Sequence, residues 1–493
     1  MCMLKPLSSD RWNFTTAAHL LNRAGFGGSP AEIERLAKLT PVAAVSSFVD
    51  YEKIPDPTPN PTWAKPDTGR AGRQSAIQQA TGDQKQQLQR AEQQMQRDQM
   101  LELRYRWLQR MTNGPRPLQE KLTLFWHGHF ATSVEKVRDA YLMWRQNELF
   151  RRLALDNWLR LLEEMATDPA MLVWLDQAQS RKDHPNENFA REVMELFTLG
   201  EGHYTEKDIT EAARALTGWG YDRDAQKFVE RPFQHDTGEK TFLGRTGNLN
   251  GGDVLEQIVA QPQAARFITG KLWNFFAGEM PSEELNTALA ANFRTGNNYF
   301  KSFLKTMFLA EEFYSPKIIR NQVKSPVQWL VSSVRMLERE LPPPIVSLAL
   351  IRNLGQELFA PPNVKGWDGG LAWITTNNLL ARYNQADTLV QGDVTPLENA
   401  NLANKPGQQQ AVERRLRNIR LNVADVGKLL TGQERADKNA LIAALEKRFL
   451  QTKLNSKQES ALRDFLDAHS QLNDGDIRGA IRLVMSTPEY QLC

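Results

Sequence analysis

Between Arg116 and Leu199 apolar residues recur at helical spacing, and proline or a capping side chain marks each restart. Pro117 opens one such run, LQEKLTLFWHGHF, and the pair Asp168-Pro169 opens another, MLVWLD, as cap followed by first-turn proline. Ser29-Pro30 does the same for AEIERLAKL. A chain punctuated this way buries helix faces against helix faces. The fold class expected is mainly α, a multi-helix orthogonal or bundle-like architecture with at most a small β-hairpin. That hairpin would lie between Lys227 and Leu243, where the period breaks down and glycine is frequent.

At 493 residues the chain is too long for a single core. Four segments are expected: an N-terminal helical segment 1–54, a linker and exposed Gln-rich helix 55–99, a main helical domain 100–395 and a C-terminal helical segment 396–493. The stretch Gln74 to Met111 reads as one long helix whose first half is solvated and whose second half, from Met100, packs. Residues 399–409 read as a second linker.

Basic and acidic residues nearly cancel, 61 against 58, which argues against a dedicated nucleic-acid binder. No apolar run approaches the roughly 18 residues needed to span a bilayer. The start, MCMLKPLSSDRWNF, lacks the apolar core of a secretory signal. The expected compartment is therefore cytoplasmic as written, with export open if the N-terminus is incomplete. The two cysteines, Cys2 and Cys493, exclude a disulfide framework and a thiolate metal site.

The densest polar stretch is NENFAREVMELFTLGEGHYTEKDITEAARALTGWG, from Asn186 to Gly220. On a wheel of about 100° per residue, Phe189, Ala190, Val193, Leu196 and Phe197 face a core. Glu187, Asn188, Arg191, Glu192 and Glu195 face away. Glu187, Arg191 and Glu195 are spaced for helix-surface ion pairs. Alternatively, Glu192 and Glu195 with a neighbouring histidine are hard ligands for a divalent metal, although the Glu-x-x-His pair of di-iron bundles is absent. His129 continues the inward face of Leu118, Leu122 and Phe125, and His127 falls on the other side. Candidate catalytic groups are Glu192, Glu195, His129, His235 and Asp236. Candidate binding groups are Arg191, Asn186, Asn188, His203, Tyr204 and Trp219. Candidate metal ligands are Glu192, Glu195 and His129. No nucleophile elbow, HExxH, phosphate-binding loop or dinucleotide fingerprint occurs.

HLLNRAGFG, PRPLQEKLTLFWHGHFATS, DPAML, NENFAREVMELFTLG, YTEKDITEAARALTGW, HDTGEKTFLG and APPNVKGWDGG, in this order, resemble the bacterial family domain of unknown function 1800. The resemblance runs over nearly the whole chain. It implies no chemistry of its own, but its motif blocks say where to look, and it favours an interior position for Arg191. Members are commonly encoded beside a second family, domain of unknown function 1501, which resembles sulfatases and phosphatases. Two functions are thus expected: a metal-assisted hydrolase with a carboxylate and histidine cleft, or a non-catalytic binding or assembly partner of that sulfatase-like neighbour.

Overall fold

The computed structural model describes residues 3–398, 414, 416 and 418–493. The second linker expected at 399–409 lies outside the described residues, as does Cys2; Cys493 is buried. The protein is mainly α, 63 % helical, with small antiparallel hairpins. The restart signals act where the sequence puts them. Ser29 and Glu32 form a reciprocal capping box in front of Pro30–Ala37. Asp168 accepts from the Met171 N–H at 3.2 Å and starts Pro169–Trp174. Thr205 and Asp208 close another such box at Glu206–Ala215.

The Gln-rich stretch folds as Arg70–Gln79 followed by Gly82–Asn113. Only the second half of the longer helix buries side chains, beginning at Met100 and including Leu103, Trp107, Leu108 and Met111.

Two hairpins form where at most one was expected. β1 (Trp219–Asp222) pairs with β2 (Lys227–Glu230), placing Tyr221 opposite Phe228. Asp222 Oδ1 holds the intervening turn by accepting from the Asp224 and Ala225 N–H groups, both at 2.9 Å. β3 (Lys240–Phe242) pairs with β4 (Arg245–Gly247) across Leu243-Gly244. Both of those residues have positive φ, 43° and 84°, as a two-residue hairpin turn requires. Leucine is a poor advertisement for such a turn, so the second hairpin leaves little trace in the sequence.

The described apolar side chains gather into two clusters. One joins Phe14–Ala24, Pro41–Val49, Trp158–Ala166, Pro262–Ala277 and Phe300–Leu309. The other joins the end of Gly82–Asn113 to Pro326–Met336, Pro344–Asn353, Thr376–Gln391 and the C-terminal helices Lys438–Leu445 and Asp474–Met485. Pro117–His129 runs between them: Leu118, Leu122, Phe125 and Trp126 enter the first, Leu124 the second. No helix among the described residues is long and apolar enough to cross a membrane.

Candidate functional site

The helix at Glu187 is α-helical only to Glu192 and continues as a π-helix over Val193–Thr198. The wider turn swings Met194 into the core and leaves Leu196 half-buried, which a 100° wheel does not anticipate. It also leaves carbonyls at the helix end needing donors. His129 Nε2 meets the Phe197 carbonyl at 3.0 Å, Lys271 Nζ donates to Leu196 O at 3.3 Å, and Gln263 Nε2 donates to Leu199 O at 2.9 Å.

His129 is inward, as its face predicts, but it is a helix-end donor enclosed by Phe125, Trp126, Phe130 and Phe197. Burial, with Lys271 nearby, pushes its pKa well below the usual histidine value, so the ring is neutral. His127, on the opposite side, accepts from the Phe359 N–H at 2.9 Å and packs on Trp107 and Trp367. Burial and Arg104 lower its pKa to about 3. The helix thus continues through Gly128 and the two histidines serve two different walls.

The polar residues of the helix pair divide in the same way. Arg191 does not bridge Glu187 and Glu195. It makes a two-pronged pair with Glu206 at 2.9 and 2.8 Å, at side-chain exposures of 36 % and 78 %. The interior position expected for it is therefore corrected: Glu206, one helix away, offers a partner in line with the guanidinium fork. Glu187 accepts from the Thr210 hydroxyl at 2.9 Å, and Glu195 from the Tyr204 hydroxyl at 3.0 Å. Asn186 caps its helix through the Asn188 N–H and donates to Leu175 O. Asn188 and His203 are exposed. Glu192 is half-buried, and desolvation with the neighbouring Glu195 raises its pKa against the pull of Lys365. Among the described residues no three His, Cys, Asp or Glu side chains converge on a point that a metal ion would occupy. The ligand set Glu192, Glu195 and His129 is corrected accordingly, since His129 points into the aromatic core.

A concave site lies elsewhere, and it gathers His235 and Trp219. A cavity of about 490 Å³ opens between the Trp158–Ala166 helix, the first hairpin and the N-terminus of Gly251–Ala260. Its size falls within the range of small-molecule sites. Glu163, Thr217, Trp219, Arg231 and His235 are among the residues that line it.

Two glycines make this packing possible. Gly218, at φ +85°, lets the Arg231 N–H reach its carbonyl at 2.8 Å; a Cβ there would meet the Arg231 carbonyl at 2.8 Å. Trp219 lies against Gly251, where a Cβ would come within 2.3 Å of the indole.

His235 Nδ1 sits 2.9 Å from the Thr217 carbonyl, an acceptor only, so Nδ1 carries a proton and, of the two tautomers of a neutral ring, the one with the lone pair on Nε2 is held. Asp236 is not part of the cavity wall. It pairs with Arg214 at 2.8 Å, accepts from the Gly238 N–H and holds its own N–H on Thr217 Oγ1, all of which staple the loop. The Arg214 hydrogen bond, ahead of a smaller opposing effect of burial, keeps its pKa below the ordinary carboxylate value. These contacts occupy the Asp236 carboxylate outside the cavity lining. Glu163, on the rim, has its pKa raised by desolvation and by Glu256 and Glu164. Arg231 donates to Tyr221 O at 3.4 Å and makes no ion pair among the described residues.

Glu163, Thr217 and Arg231 were missed from the sequence. The signal available was indirect: Glu163 precedes the DPAML block by a few residues, and Thr217 lies inside ALTGW. The chain matches no curated protein and no solved structure. The model of the family described as protein of unknown function (DUF1800) matches residues 19–492, nearly the whole chain, and the protein belongs to that family.

Proposed function

We propose that the protein is a hydrolase whose site is the cavity between the first hairpin and the Trp158–Ala166 helix. The observation that carries this reading is His235: Nδ1–H is held on the Thr217 carbonyl, which leaves Nε2 as a base in a residue that lines a ligand-sized cavity. In this reading Nε2 takes a proton from a water as it attacks the substrate. Arg231 faces the negative charge that develops on the attacked group. Glu163, its pKa raised, returns a proton to the leaving group, and Trp219 forms an apolar wall. A divalent metal bound by Glu192, Glu195 and His129 is not part of this reading, because those side chains do not meet.

The test is turnover of chromogenic esters, phosphate esters and glycosides by the purified protein. One class is expected to be hydrolysed, with His235→Asn lowering kcat by about a hundredfold at an unchanged melting temperature. Absence of turnover on every class, or a His235→Asn rate equal to wild type, would sink the reading.

A second reading, docking on the sulfatase-like neighbour, is favoured by one surface. Beyond Trp367, Leu371 and Leu380 are 81 % and 63 % exposed, with Leu379 and Tyr383 beside them. Co-purification that Leu380→Asp abolishes would support it, and co-purification insensitive to that change would count against it.

A further inference from the structure

β1 and β2 form a sheet of two strands, so the outer edge of β2 has no strand beside it. The register fixes which of its backbone groups face outward. The Arg231 N–H donates to Gly218 O at 2.8 Å, one pair beyond Trp219 and Glu230. Hydrogen-bonded and non-hydrogen-bonded pairs alternate along an antiparallel ladder, so Val229 bonds to Gly220 and Lys227 to Asp222. The N–H and C=O groups of Phe228 and Glu230 therefore point away from β1. Outside the hairpin, neither residue's main chain makes a hydrogen bond to another main chain among the described residues. Glu230 is exposed and Phe228 half-buried. Such an edge is a template for a further strand.

The two β2 residues with outward groups are also the two that line cavities. Glu230 lines the one that holds His235, and Phe228 lines a second, of about 310 Å³, which shares Glu164 and Thr167 with it. Phe228 and Glu230 stand two apart, about 7 Å along the strand. In a strand laid alongside, side chains two apart share one face at the same spacing, so one enters each cavity. The linings say which side chains these are. Trp144, Leu149 and Phe228 give the second cavity apolar walls, and its charged groups are engaged: Arg152 by Glu164 at 2.6 and 3.2 Å, Glu148 by Arg151, Arg145 by Gln226 O at 2.8 Å. In the first cavity Glu163 and Glu230 make no ion pair among the described residues and outnumber Arg231. Glu256 and Glu164 already crowd Glu163 with negative charge, which a cation relieves.

We infer that the outer edge of β2 binds an extended peptide, with an apolar side chain in the second cavity and, two residues along, a lysine or arginine in the first. Pairing with the Phe228 and Glu230 main chain sets the register, and the cavities set the selectivity. Four residues of β2 offer few hydrogen bonds, so affinity needs both. The peptide gives the hydrolase reading its substrate class and rests on that reading for whatever follows binding; binding itself needs no reaction at His235.

Fluorescence polarisation on the full chain tests it, with fluorescein-labelled Thr-Phe-Thr-Lys-Thr and Thr-Lys-Thr-Phe-Thr as probes, since an added strand can run either way. One of them is expected to bind saturably with a Kd below about 1 mM. Glutamate in place of the peptide lysine weakens binding by about tenfold, and N-methylation of the peptide backbone abolishes it. Glu230→Pro removes an outward N–H without touching the ladder, which an edge strand tolerates. It weakens binding by about tenfold relative to Glu230→Ala, which keeps that N–H. Polarisation reads binding whether or not anything is turned over. A protein that binds these peptides but hydrolyses no ester, phosphate ester or glycoside thus sinks the hydrolase reading and supports this one. No saturable signal from either peptide with folded wild-type protein overturns the inference. So does equal binding by Glu230→Pro and Glu230→Ala, or undiminished binding of the N-methylated peptide, which carries the backbone arm alone if Glu230→Pro does not fold.

Discussion

At the scale of single residues, Asp168 shows how one carboxyl can cap a helix and still carry a cost. Burial raises its pKa from 3.8 to about 6, against the opposing pull of the Met171 and Gln146 hydrogen bonds. A folded-state pKa above the unfolded one means that the folded protein binds the proton more tightly. The resulting stabilisation is full below pH 3.8 and is lost as pH rises through about 6. A gap of about two units corresponds to about 3 kcal/mol. Asp168→Asn keeps the cap, since asparagine caps as well as aspartate, and removes the titration. Denaturant unfolding of both proteins from about pH 4 to about pH 7 should show wild type losing up to about 3 kcal/mol relative to Asp168→Asn across that window. A difference that stays flat with pH would show that this carboxyl is ionised at no cost. The cap was legible from Asp168-Pro169; the burial of its second oxygen was not, because it depends on Gln146 from another helix and on a cavity wall built by the first hairpin.

At the scale of elements, the most informative departure is the π-helical turn over Val193–Thr198. The polar stretch from Asn186 forms two helices, and the Thr205/Asp208 box that starts the second is local chemistry written in the sequence. The registry of its far end was not readable, because it rests on donors from distant segments: His129, Gln263 and Lys271. Lys271 is drawn to about 8 by burial while it serves Leu196 O. His129→Leu should therefore lower the melting temperature by removing the buried donor to Phe197 O, at a cost of about 1–3 kcal/mol. Because the folded ring stays neutral while the unfolded one still takes up a proton near the ordinary histidine value, the loss should be smaller at about pH 6 than at about pH 8. A melt that matches wild type would show that the carbonyl finds another donor. The same logic explains His235: its loop position was visible in the sequence, whereas its partner Thr217 and the cavity came only with the first hairpin.

At the scale of the whole molecule, the C-terminal helices complete a core begun far upstream. Leu441, Leu445, Phe449, Ile477, Ile481 and Val484 enter the same apolar cluster as Trp107, Trp329, Leu330 and Val334. Polar contacts follow the same seam. Tyr490 and Ser333 hydroxyls meet at 2.6 Å, the Lys324 N–H donates to Gln491 O at 2.9 Å, and Arg448 donates to Met336 O at 3.1 Å. Each fully buried side chain of this kind contributes about 1.5–3 kcal/mol, as an upper estimate. Losing six of them together would cost as much as the roughly 5–15 kcal/mol by which a folded domain is stable. Helical periodicity made the C-terminal segment legible as helices, but nothing in its spacing said which earlier helices it would cover. A chain ending at residue 398 should consequently leave Trp329, Leu330 and Val334 facing water, and should be insoluble or lack a cooperative melt. Near-ultraviolet circular dichroism and calorimetry on the 1–398 fragment decide it. A soluble fragment with a sharp transition and native-like tryptophan signals would mean that the upstream helices close their core without the C-terminal ones.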